Sequence, residues 1–371
     1  MKSRRKKILF VLPSLTGGGA ERVMTTIITH LDRKRFEPVL VLLQKEGPFL
    51  SKIPEEIRIL DLQAARARYA IFKIIAAIKR ERPDVVFSTL GHLNLLMAML
   101  KPLFLHHIAF IARESNTVSI ENAQEKYPGL FNWLYRRLYP RFDRIVAQSR
   151  SMKEDLVVNY GIDSGKIEVI YNPVDARGIL SELDSTVFYR KEKRKDKSCR
   201  LLAVGRLSRQ KGFDLLIEAV AKLPDTYSLK ILGEGESKEV LQRQIEALGL
   251  AQRVELAGFS DAPYCEMRQV DLLVLSSRYE GLPNVVLEAN VCALPVVSFD
   301  SPGGTAELIR EGENGFLVEA FDIDALAKTI EKACGTSFER EKISKEAIRL
   351  YDVGKIVKAY EALLEKACIG C

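Results

Sequence analysis

Arg278-Tyr-Glu-Gly-Leu-Pro-Asn-Val-Val-Leu-Glu288 is the segment that decides the fold of this chain. The apolar run at residues 271–276 precedes it and predicts a buried parallel strand, and residues 285–292 predict a helix. In an open α/β sheet, ligands bind outside the carboxyl ends of the strands, where a helix N-terminus attracts anions. Glu280 is therefore expected at the end of a strand and Glu288 within the following helix. Two carboxylates at such a pocket suit the hydroxyls of a sugar and a ribose.

A basic loop bounded by glycines follows an earlier predicted strand. Gly205-Arg206-Leu-Ser-Arg-Gln-Lys211-Gly212 comes directly after the apolar run at residues 200–204. A guanidinium fork and an ammonium together offset the negative charge of a diphosphate, and flanking glycines let the backbone come close. The loop is therefore a candidate diphosphate site, with a simple solvated turn as the alternative.

A glycine-rich segment near the N-terminus has the form of a phosphate-binding loop. Leu12-Pro-Ser-Leu-Thr-Gly17-Gly18-Gly19-Ala-Glu21-Arg22 follows a predicted strand at residues 8–12 and opens a predicted helix. Backbone N–H groups at such a position bind phosphate. The spacing is neither Gly-x-Gly-x-x-Gly nor a Walker loop, because no Gly-Lys-Ser/Thr follows.

These motifs resemble, in order and spacing, those of glycosyltransferase family 4. Ser301-Pro-Gly303-Gly304-Thr-Ala-Glu307 and Asn314-Gly-Phe-Leu-Val318 are similar to two further motifs of that family, so the resemblance covers residues 8–318. The family comprises retaining nucleotide-sugar enzymes of GT-B fold, including builders of bacterial surface glycans. The resemblance implies an α/β chain with two Rossmann-like domains whose parallel sheets face each other across a cleft.

The resemblance also assigns roles to residues. It implies that Glu288 holds the ribose hydroxyls and Glu280 the donor-sugar hydroxyls, while the leaving phosphate acts as base and no enzyme nucleophile is required. The candidate catalytic residues are Glu280, Arg206, Lys211 and Glu114. The candidate donor-binding residues are Gly17, Gly18, Gly19, Arg206, Lys211, Gly258, Phe259, Ser260, Glu280, Gly281, Leu282, Pro283, Asn284, Val285 and Glu288.

One position of the N-terminal half departs from the family pattern. Related enzymes often carry a histidine after the strand that faces the donor sugar, whereas this chain reads Ile111-Ala-Arg113-Glu114-Ser-Asn116. Three candidates for that contact stay open: Glu114, Arg113, and His92 from a neighbouring loop.

The resemblance predicts an enzyme that moves a hexose or N-acetylhexosamine from a nucleoside-diphosphate donor, with UDP expected, to a glycan. The expected acceptor is polyprenyl-diphosphate-linked, in surface polysaccharide assembly, with a soluble glycan as the alternative. No metal or other cofactor is expected, because Arg206, Lys211 and a helix N-terminus supply positive charge. Asp322-Ile-Asp324 matches a metal motif of another glycosyltransferase fold, but Asp324 is expected to cap a helix. A nucleotide-sugar epimerase and a non-catalytic nucleotide-binding protein are the alternatives.

A chain of 371 residues is too long for one ordinary core and predicts two domains. The first is expected to span residues 1–175 and bind the acceptor, with a C-terminal helix at 353–371 crossing back onto it. The second, residues 176–352, is expected to bind the nucleotide sugar. Strands are predicted at residues 8–12, 38–43, 84–88, 108–112, 144–148, 167–170, 201–204, 229–232, 254–257, 272–276 and 295–298.

Positive charge is concentrated in the N-terminal half. Residues 1–175 carry 28 Lys and Arg against 18 Asp and Glu, whereas the net charge of the whole chain is +7. Basic residues accompany aromatic ones at residues 66–73 and 127–139, which is typical of surfaces that bind anionic membranes. Ordinary solvated helix faces are the alternative. No nucleic-acid partner is expected, because no nucleic-acid motif accompanies the charge.

The N-terminal sequence and the cysteine pattern favour a cytoplasmic location. A peripheral position on the inner face of the cytoplasmic membrane is also compatible with this expectation. The apolar run after the basic N-terminus ends at Pro13, which favours a strand over a signal peptide. The six cysteines show no disulfide pattern, so reduced thiols are expected.

Overall fold

The computed structural model describes residues 4–16, 18–104, 108–183 and 198–369. The charged composition of residues 189–197 predicts a solvated loop between the two domains; this segment and Gly17 lie outside the described residues. The chain divides into two compact units, Met1–Pro173 with Val353–Cys371 and Val174–Asp352. It leaves the first unit two residues before the predicted boundary at residue 175 and returns to it at Val353.

Each unit contains one parallel β-sheet. The first unit contributes β1 (Lys6–Leu12), β2 (Phe36–Leu42), β3 (Arg58–Asp61), β4 (Val85–Thr89), β5 (Ala109–Arg113), β6 (Arg144–Ala147) and β7 (Ile167–Val169). The second contributes β8 (Cys199–Val204), β9 (Tyr227–Leu232), β10 (Val254–Gly258), β11 (Leu272–Leu275), β12 (Val296–Phe299) and β13 (Gly315–Val318). The strand orders are β3-β2-β1-β4-β5-β6-β7 and β10-β9-β8-β11-β12-β13.

Helices alternate with these strands along the chain. They are α1 (Gly19–His30), α2 (Ile71–Glu81), α3 (Gly91–Leu100), α4 (Val118–Gln124), α5 (Pro128–Leu138), α6 (Arg150–Tyr160), α7 (Ala176–Glu182), α8 (Phe213–Ala221), α9 (Lys238–Ala247), α10 (Pro263–Gln269), α11 (Asn284–Val291), α12 (Ile323–Gly335), α13 (Arg340–Tyr351) and α14 (Val353–Ile369). Within the described part of the chain, no helix combines the length and apolar character of a membrane span.

The first sheet is covered on both faces. Alternate residues of β1 enter different cores: Ile8, Phe10 and Leu12 pack with α1 and α14, whereas Leu9 and Val11 pack with the layer of α2, α3, α5 and α6. This alternation follows from the two-residue period of a strand. In the second unit, α8, α9 and α12 cover one core, and α11 packs against α7 and α13.

The α/β class and the two Rossmann-like parallel sheets predicted from the sequence are confirmed. All eleven predicted strands are present, with ends that differ by up to two residues. β3 and β13 were not predicted as strands. Both are four-residue strands at the edge of a sheet. The two end residues of β3 are exposed, so its sequence carries little of the apolar signal that marks a buried strand. β13 is apolar and mostly buried, but its residues are interpreted only as part of a family motif.

Two local expectations were wrong. The expectation of reduced thiols fails for Cys199 and Cys334, which form a disulfide because the start of β8 and the last turn of α12 bring their Cα atoms within 6.2 Å. The N-cap of α12 is Asp322, whose carboxylate accepts a hydrogen bond from Ala325 N at 2.8 Å. Asp324 lies inside the helix, because α12 begins earlier than predicted.

Candidate functional site

The topology of each sheet creates a crevice at one position. In both sheets the strand order reverses direction beside the first strand of the unit, between β1 and β4 and between β8 and β11. At such a switch point the loops leaving the two strands diverge to opposite faces and leave space for a ligand at the carboxyl edge. The loops after β8 and β11 carry the basic segment and the Glu280 segment predicted from the sequence.

These two loops bring Lys211 and Glu280 together. The Nζ atom of Lys211 lies 2.5 Å from Oε1 of Glu280. The hydroxyl of Ser277 donates a second hydrogen bond to the same carboxylate oxygen at 2.7 Å. Glu280 is buried, and the Lys211 side chain is one-fifth exposed. Two motifs that are distant in sequence therefore form one charged pair at the switch point.

Close backbone approach explains two glycines of the motifs. Gly212 has φ +61°, and a Cβ atom there would overlap the carbonyl oxygen of Ser276. Gly303 has φ +127°, and a Cβ atom there would overlap the carbonyl oxygen of Glu280. Both positions require glycine for conformation and for space. They hold the loops after β8 and β12 against the loop after β11.

The N-terminus of α11 lies directly after the Glu280 turn. Pro283 is its N-cap residue and makes no side-chain capping hydrogen bond. Gly281, Leu282 and Pro283 are buried, whereas Asn284 and Val285 are partly exposed. The partial positive charge of a helix N-terminus favours an anion or a hydroxyl oxygen.

Glu288 lies in the second turn of α11 and is buried. Burial, followed by the charge of Glu288, raises the pKa of the Cys292 thiol to about 12. The Cys292 thiol therefore stays protonated at neutral pH and is not poised as a nucleophile.

Arg206 differs from Lys211 in its surroundings. Its side chain is exposed, and within the described ranges no group forms a hydrogen bond or ion pair with its guanidinium. A planar guanidinium in this state is available to bind a phosphate with two parallel hydrogen bonds.

The loop after β10 supplies the remaining predicted residues of the second unit. Gly258 accepts a hydrogen bond from Gly233 N at 2.7 Å, which joins the loops after β9 and β10. The Phe259 side chain is 76% exposed. Ser260 Oγ accepts a hydrogen bond from Ala262 N at 3.2 Å. Phe259 is therefore an aromatic surface at the same edge of the sheet.

In the first unit, the glycine-rich segment leaves β1 at the switch point. Gly18 is the N-cap residue of α1, without a side-chain capping bond, and Gly19 is the first residue of the helix. A Cβ atom at Gly18 would overlap the Glu21 carboxylate. Gly17 is outside the described residues, so its predicted contact is not placed.

Glu114 is completely buried at the end of β5. Its Oε1 atom accepts hydrogen bonds from the Tyr139 hydroxyl and from Asn94 Nδ2, the latter at 3.0 Å. Its Oε2 atom has no hydrogen-bond partner among the described residues. Burial raises the pKa of Glu114 to about 7, against the opposing effect of these hydrogen bonds. A carboxyl with this pKa is close to half protonated at neutral pH.

Arg113 and His92, the other two candidates, have opposite environments. Arg113 is completely buried, and its Nη2 atom donates to Asn172 Oδ1 at 2.7 Å while Nε donates to the Tyr360 hydroxyl at 3.2 Å. The His92 side chain is two-thirds exposed, and its Nε2 atom lies 3.0 Å from Glu125 Oε1. Of the three candidates, His92 alone presents its side chain to solvent in the first unit.

Sequence reasoning missed the polar network around Glu114. Gln148 Nε2 donates to the Glu114 carbonyl oxygen at 2.7 Å, and Asn172 Nδ2 donates to Gln148 Oε1 at 2.8 Å. Both side chains are buried and follow strands. The sequence of residues 171–175 resembles only the linker at the end of the first domain in the family, which gives no indication that Asn172 is part of a buried network. Polar residues directly after apolar runs were the available signal.

Comparison with known proteins identifies the family of both units. The family described as Glycosyltransferase Family 4 matches residues 17–177, and the family described as Glycosyl transferases group 1 matches residues 185–350.

Two relatives from Campylobacter jejuni align along most of the chain. One is named N-acetylgalactosamine-N,N'-diacetylbacillosaminyl-diphospho-undecaprenol 4-alpha-N-acetylgalactosaminyltransferase; it is 30% identical over 93% of this chain and 99% of its own length. The other is an alpha-1,4-N-acetyl-D-galactosaminyltransferase named for a PP-undecaprenol substrate; it is 25% identical over 93% of this chain and 94% of its own length.

Solved structures show the same fold. The structure of Anabaena Alr3699/HepE in complex with UDP has a TM-score of 0.79 at 23% identity, covering 97% of this chain and 100% of that chain. These similarities identify the fold as GT-B.

Proposed function

The chain belongs to glycosyltransferase family 4, and on that premise we propose that it transfers a hexose or N-acetylhexosamine from UDP to a polyprenyl-diphosphate-linked glycan, with retention of configuration. The observation that carries this proposal is the ion pair, at 2.5 Å, between Glu280 and Lys211. The loop of Lys211 also carries Arg206, whose guanidinium has no hydrogen-bond or ion-pair partner among the described residues. This arrangement places cations for a diphosphate next to a carboxylate for sugar hydroxyls.

Stabilisation of the departing diphosphate is the catalytic contribution we assign to Arg206 and Lys211. Negative charge builds on the leaving phosphate as the glycosidic bond breaks, and preorganised cations stabilise that charge in the transition state. In the resting site Lys211 already has Glu280 as its counterion, so its ammonium is held in place before the donor arrives. The leaving phosphate takes the proton of the acceptor hydroxyl in this proposal.

The remaining contacts follow the carboxyl edge of the second sheet. We assign the ribose hydroxyls to Glu288, the donor sugar to Glu280 and to backbone groups of residues 281–285, and the base to Phe259. The exposed ring of Phe259 offers a stacking face, and Gly258 and Ser260 offer backbone groups beside it. The proposal uses no metal, because two basic side chains and a helix N-terminus supply positive charge.

In the first unit, we propose that the glycine-rich turn helps to bind the donor diphosphate. We also propose that one of Glu114, Arg113 and His92 takes the place of the histidine that is common in the family. The exposed imidazole of His92 supports a direct substrate contact. Glu114 and Arg113, both completely buried, support a role in shaping the end of β5.

A surface of the first unit supports an acceptor that is anchored in a membrane. All eight exposed large hydrophobic residues described in this unit belong to the layer of α2, α3, α5, α6 and their connections, and none belongs to α1 or α14. They are Tyr69, Phe72, Met99, Leu103, Tyr127, Leu130, Trp133 and Val158. We call this set the apolar face.

Basic residues accompany the apolar face. The guanidinium of Arg68 lies 4.9 Å from the ring centroid of Tyr69, and the Lys126 ammonium lies 5.4 Å from that of Tyr127. Exposed aromatic rings with adjacent cations match the headgroup region of an anionic leaflet. We therefore propose peripheral association with the inner face of the cytoplasmic membrane.

The proposal is tested by transfer assays with a panel of UDP-sugars and a synthetic polyprenyl-diphosphate-linked glycan, with the anomeric configuration of the product read by NMR. Arg206→Ala should lower kcat/KM about 30- to 150-fold, a loss of about 2–3 kcal/mol of transition-state stabilisation. Arg209→Ala, an exposed arginine of the same loop, is the matched control and should keep wild-type kinetics. Equal kcat/KM in wild type and Arg206→Ala would refute the diphosphate assignment.

Two glutamate variants separate binding from chemistry. Glu288→Gln should raise the donor KM, because it weakens a contact with ribose that is equal in ground and transition states. Glu280→Ala should lower kcat as well. Interconversion of UDP-sugars in the absence of any acceptor would instead favour the epimerase alternative.

A further inference from the structure

A second charged pair joins the loops that carry Lys211 and Glu280. The guanidinium of Arg278 donates from Nη1 and Nη2 to the two carboxylate oxygens of Asp214, at 2.8 and 2.6 Å. Nη1 also donates to the carbonyl oxygen of Arg209 at 2.8 Å. Arg278 stands two residues before Glu280, and Asp214 stands three residues after Lys211. This fork-to-fork geometry restricts both distance and orientation.

Further hydrogen bonds run between the same two loops. Arg278 N donates to the Gln210 carbonyl oxygen at 2.7 Å, and Gln210 Nε2 donates to the Tyr279 carbonyl oxygen at 3.1 Å. Ser276 Oγ donates to the Lys211 carbonyl oxygen at 3.1 Å. The loop after β8 and the loop after β11 are therefore joined by several hydrogen bonds and by two ion pairs, Arg278–Asp214 and Lys211–Glu280.

The electrostatics of the pair keep it ionised. Burial pushes the pKa of Asp214 upward, but the hydrogen bond and charge of Arg278, together with hydrogen bonds from the backbone N–H groups of Asp214 and Leu215, lower it overall. The hydrogen bond to Asp214 raises the pKa of Arg278. Asp214 also lies in the first turn of α8, where the helix dipole favours a carboxylate.

We propose that Arg278 and Asp214 are positioning residues that hold Lys211 and Glu280 in register while the donor occupies the site. The inference rests on the proposed function. When a diphosphate and a sugar hydroxyl compete for Lys211 and Glu280, the direct pair between these two residues weakens. The Arg278–Asp214 pair has no role in binding the donor, because both terminal nitrogens of Arg278 are engaged with Asp214 and Arg209. It therefore persists, and the two loops keep their spacing.

The test measures kinetics and stability of four variants of the full chain: Arg278→Ala, Asp214→Ala, the double variant, and Arg278→Lys. Each single Ala variant should lower kcat/KM for the UDP-sugar about 10- to 100-fold, because small misplacements of catalytic groups cost that much. The fall should be mainly in kcat. The double Ala variant should be no worse than either single one, because the two residues act as a unit. Arg278→Lys should recover part of the activity, since it keeps the charge but loses the fork.

Folding and function are separated by two controls. Asp324→Ala removes the ion pair between Asp324 of α12 and Lys222, the C-cap residue of α8, and should leave kinetics unchanged. Asp214→Asn, which keeps the shape of the side chain, replaces Asp214→Ala if the latter does not fold, and should show the same kinetic loss. Independent effects that multiply in the double variant, or folded single variants with wild-type kcat, would overturn the positioning role. Inactivity of the wild-type chain with every UDP-sugar would instead refute the proposed function.

Discussion

Replacement of Lys211 by methionine removes the ammonium from the Lys211–Glu280 pair while keeping a side chain of similar length. Glu280 is buried, so the variant leaves a carboxylate in the protein interior without its cationic partner. Breaking a fully buried ion pair in this way costs about 3–5 kcal/mol. Because one-fifth of the Lys211 side chain is exposed, solvent screening reduces this cost, and we expect about 1–3 kcal/mol of lost unfolding free energy.

The loss of transition-state stabilisation should exceed the loss of unfolding free energy. Loss of a preorganised charge at the leaving group costs about 3–4 kcal/mol, so kcat/KM should fall by about 100- to 1000-fold. The double variant Lys211→Met with Glu280→Gln separates the two effects, since it leaves no unpaired charge in the interior. We expect it to recover most of the unfolding free energy and none of the activity. Urea unfolding and steady-state kinetics with a UDP-sugar measure both quantities on the same preparations.

Lys222→Met is the matched control, because Lys222 forms an ion pair of similar length, 2.7 Å, with Asp324 at an exposed position. It should change neither stability nor kinetics. The reasoning is wrong if Lys211→Met unfolds at the wild-type urea concentration, or if the double variant regains activity.

Three further predictions follow from other parts of the chain. The contribution of Glu114 to stability should be fully present below about pH 4.5 and be lost as pH rises through about 7, because the pKa of Glu114 is raised in the folded state. Glu114→Gln should therefore reduce the change of the unfolding free energy with pH. The protein should float with anionic liposomes at low salt and be released at high salt, and reversal of Arg136 and Arg137 to Glu should weaken flotation without affecting donor hydrolysis. Transfer activity should survive EDTA.

A specific outcome would contradict each of these three predictions. An unfolding free energy of Glu114→Gln that follows pH as the wild type does would show that another group titrates. Equal weakening by charge reversal of Lys355 and Lys358 on α14 would show that the binding is non-specific. Loss of transfer in EDTA, with recovery in manganese or magnesium, would identify a metal requirement and return attention to Asp322.

The apolar periodicity of the sequence was sufficient to predict the central strands and the edge strands β7 and β10, but not the edge strands β3 and β13. Central strands such as β1 and β12 are buried on both faces and are continuous apolar runs, whereas β3 is half solvent-exposed and resembles a loop. The motifs located Glu280, Lys211 and Arg206 at the ends of strands. They did not indicate Arg278 or Asp214, because a charged residue in a loop looks the same in sequence whether it is solvated or paired.

The sequence by itself determined eleven of the strands in the described ranges and the loops that carry the basic and acidic side chains of the candidate site. Only the tertiary structure decided partners. Lys211 meets Glu280 across 69 residues because a parallel sheet aligns the carboxyl ends of β8 and β11, which are not consecutive in the chain. Tyr139 meets Glu114 across 25 residues because the turn after α5 packs against the first sheet. Cys199 and Cys334 meet for a different reason: the last turn of α12 lies near the amino end of β8. The local pattern of apolar and polar residues indicates whether a residue is buried. The partner of a buried polar group depends on the order of the strands in the sheet, and a local sequence pattern does not contain that order.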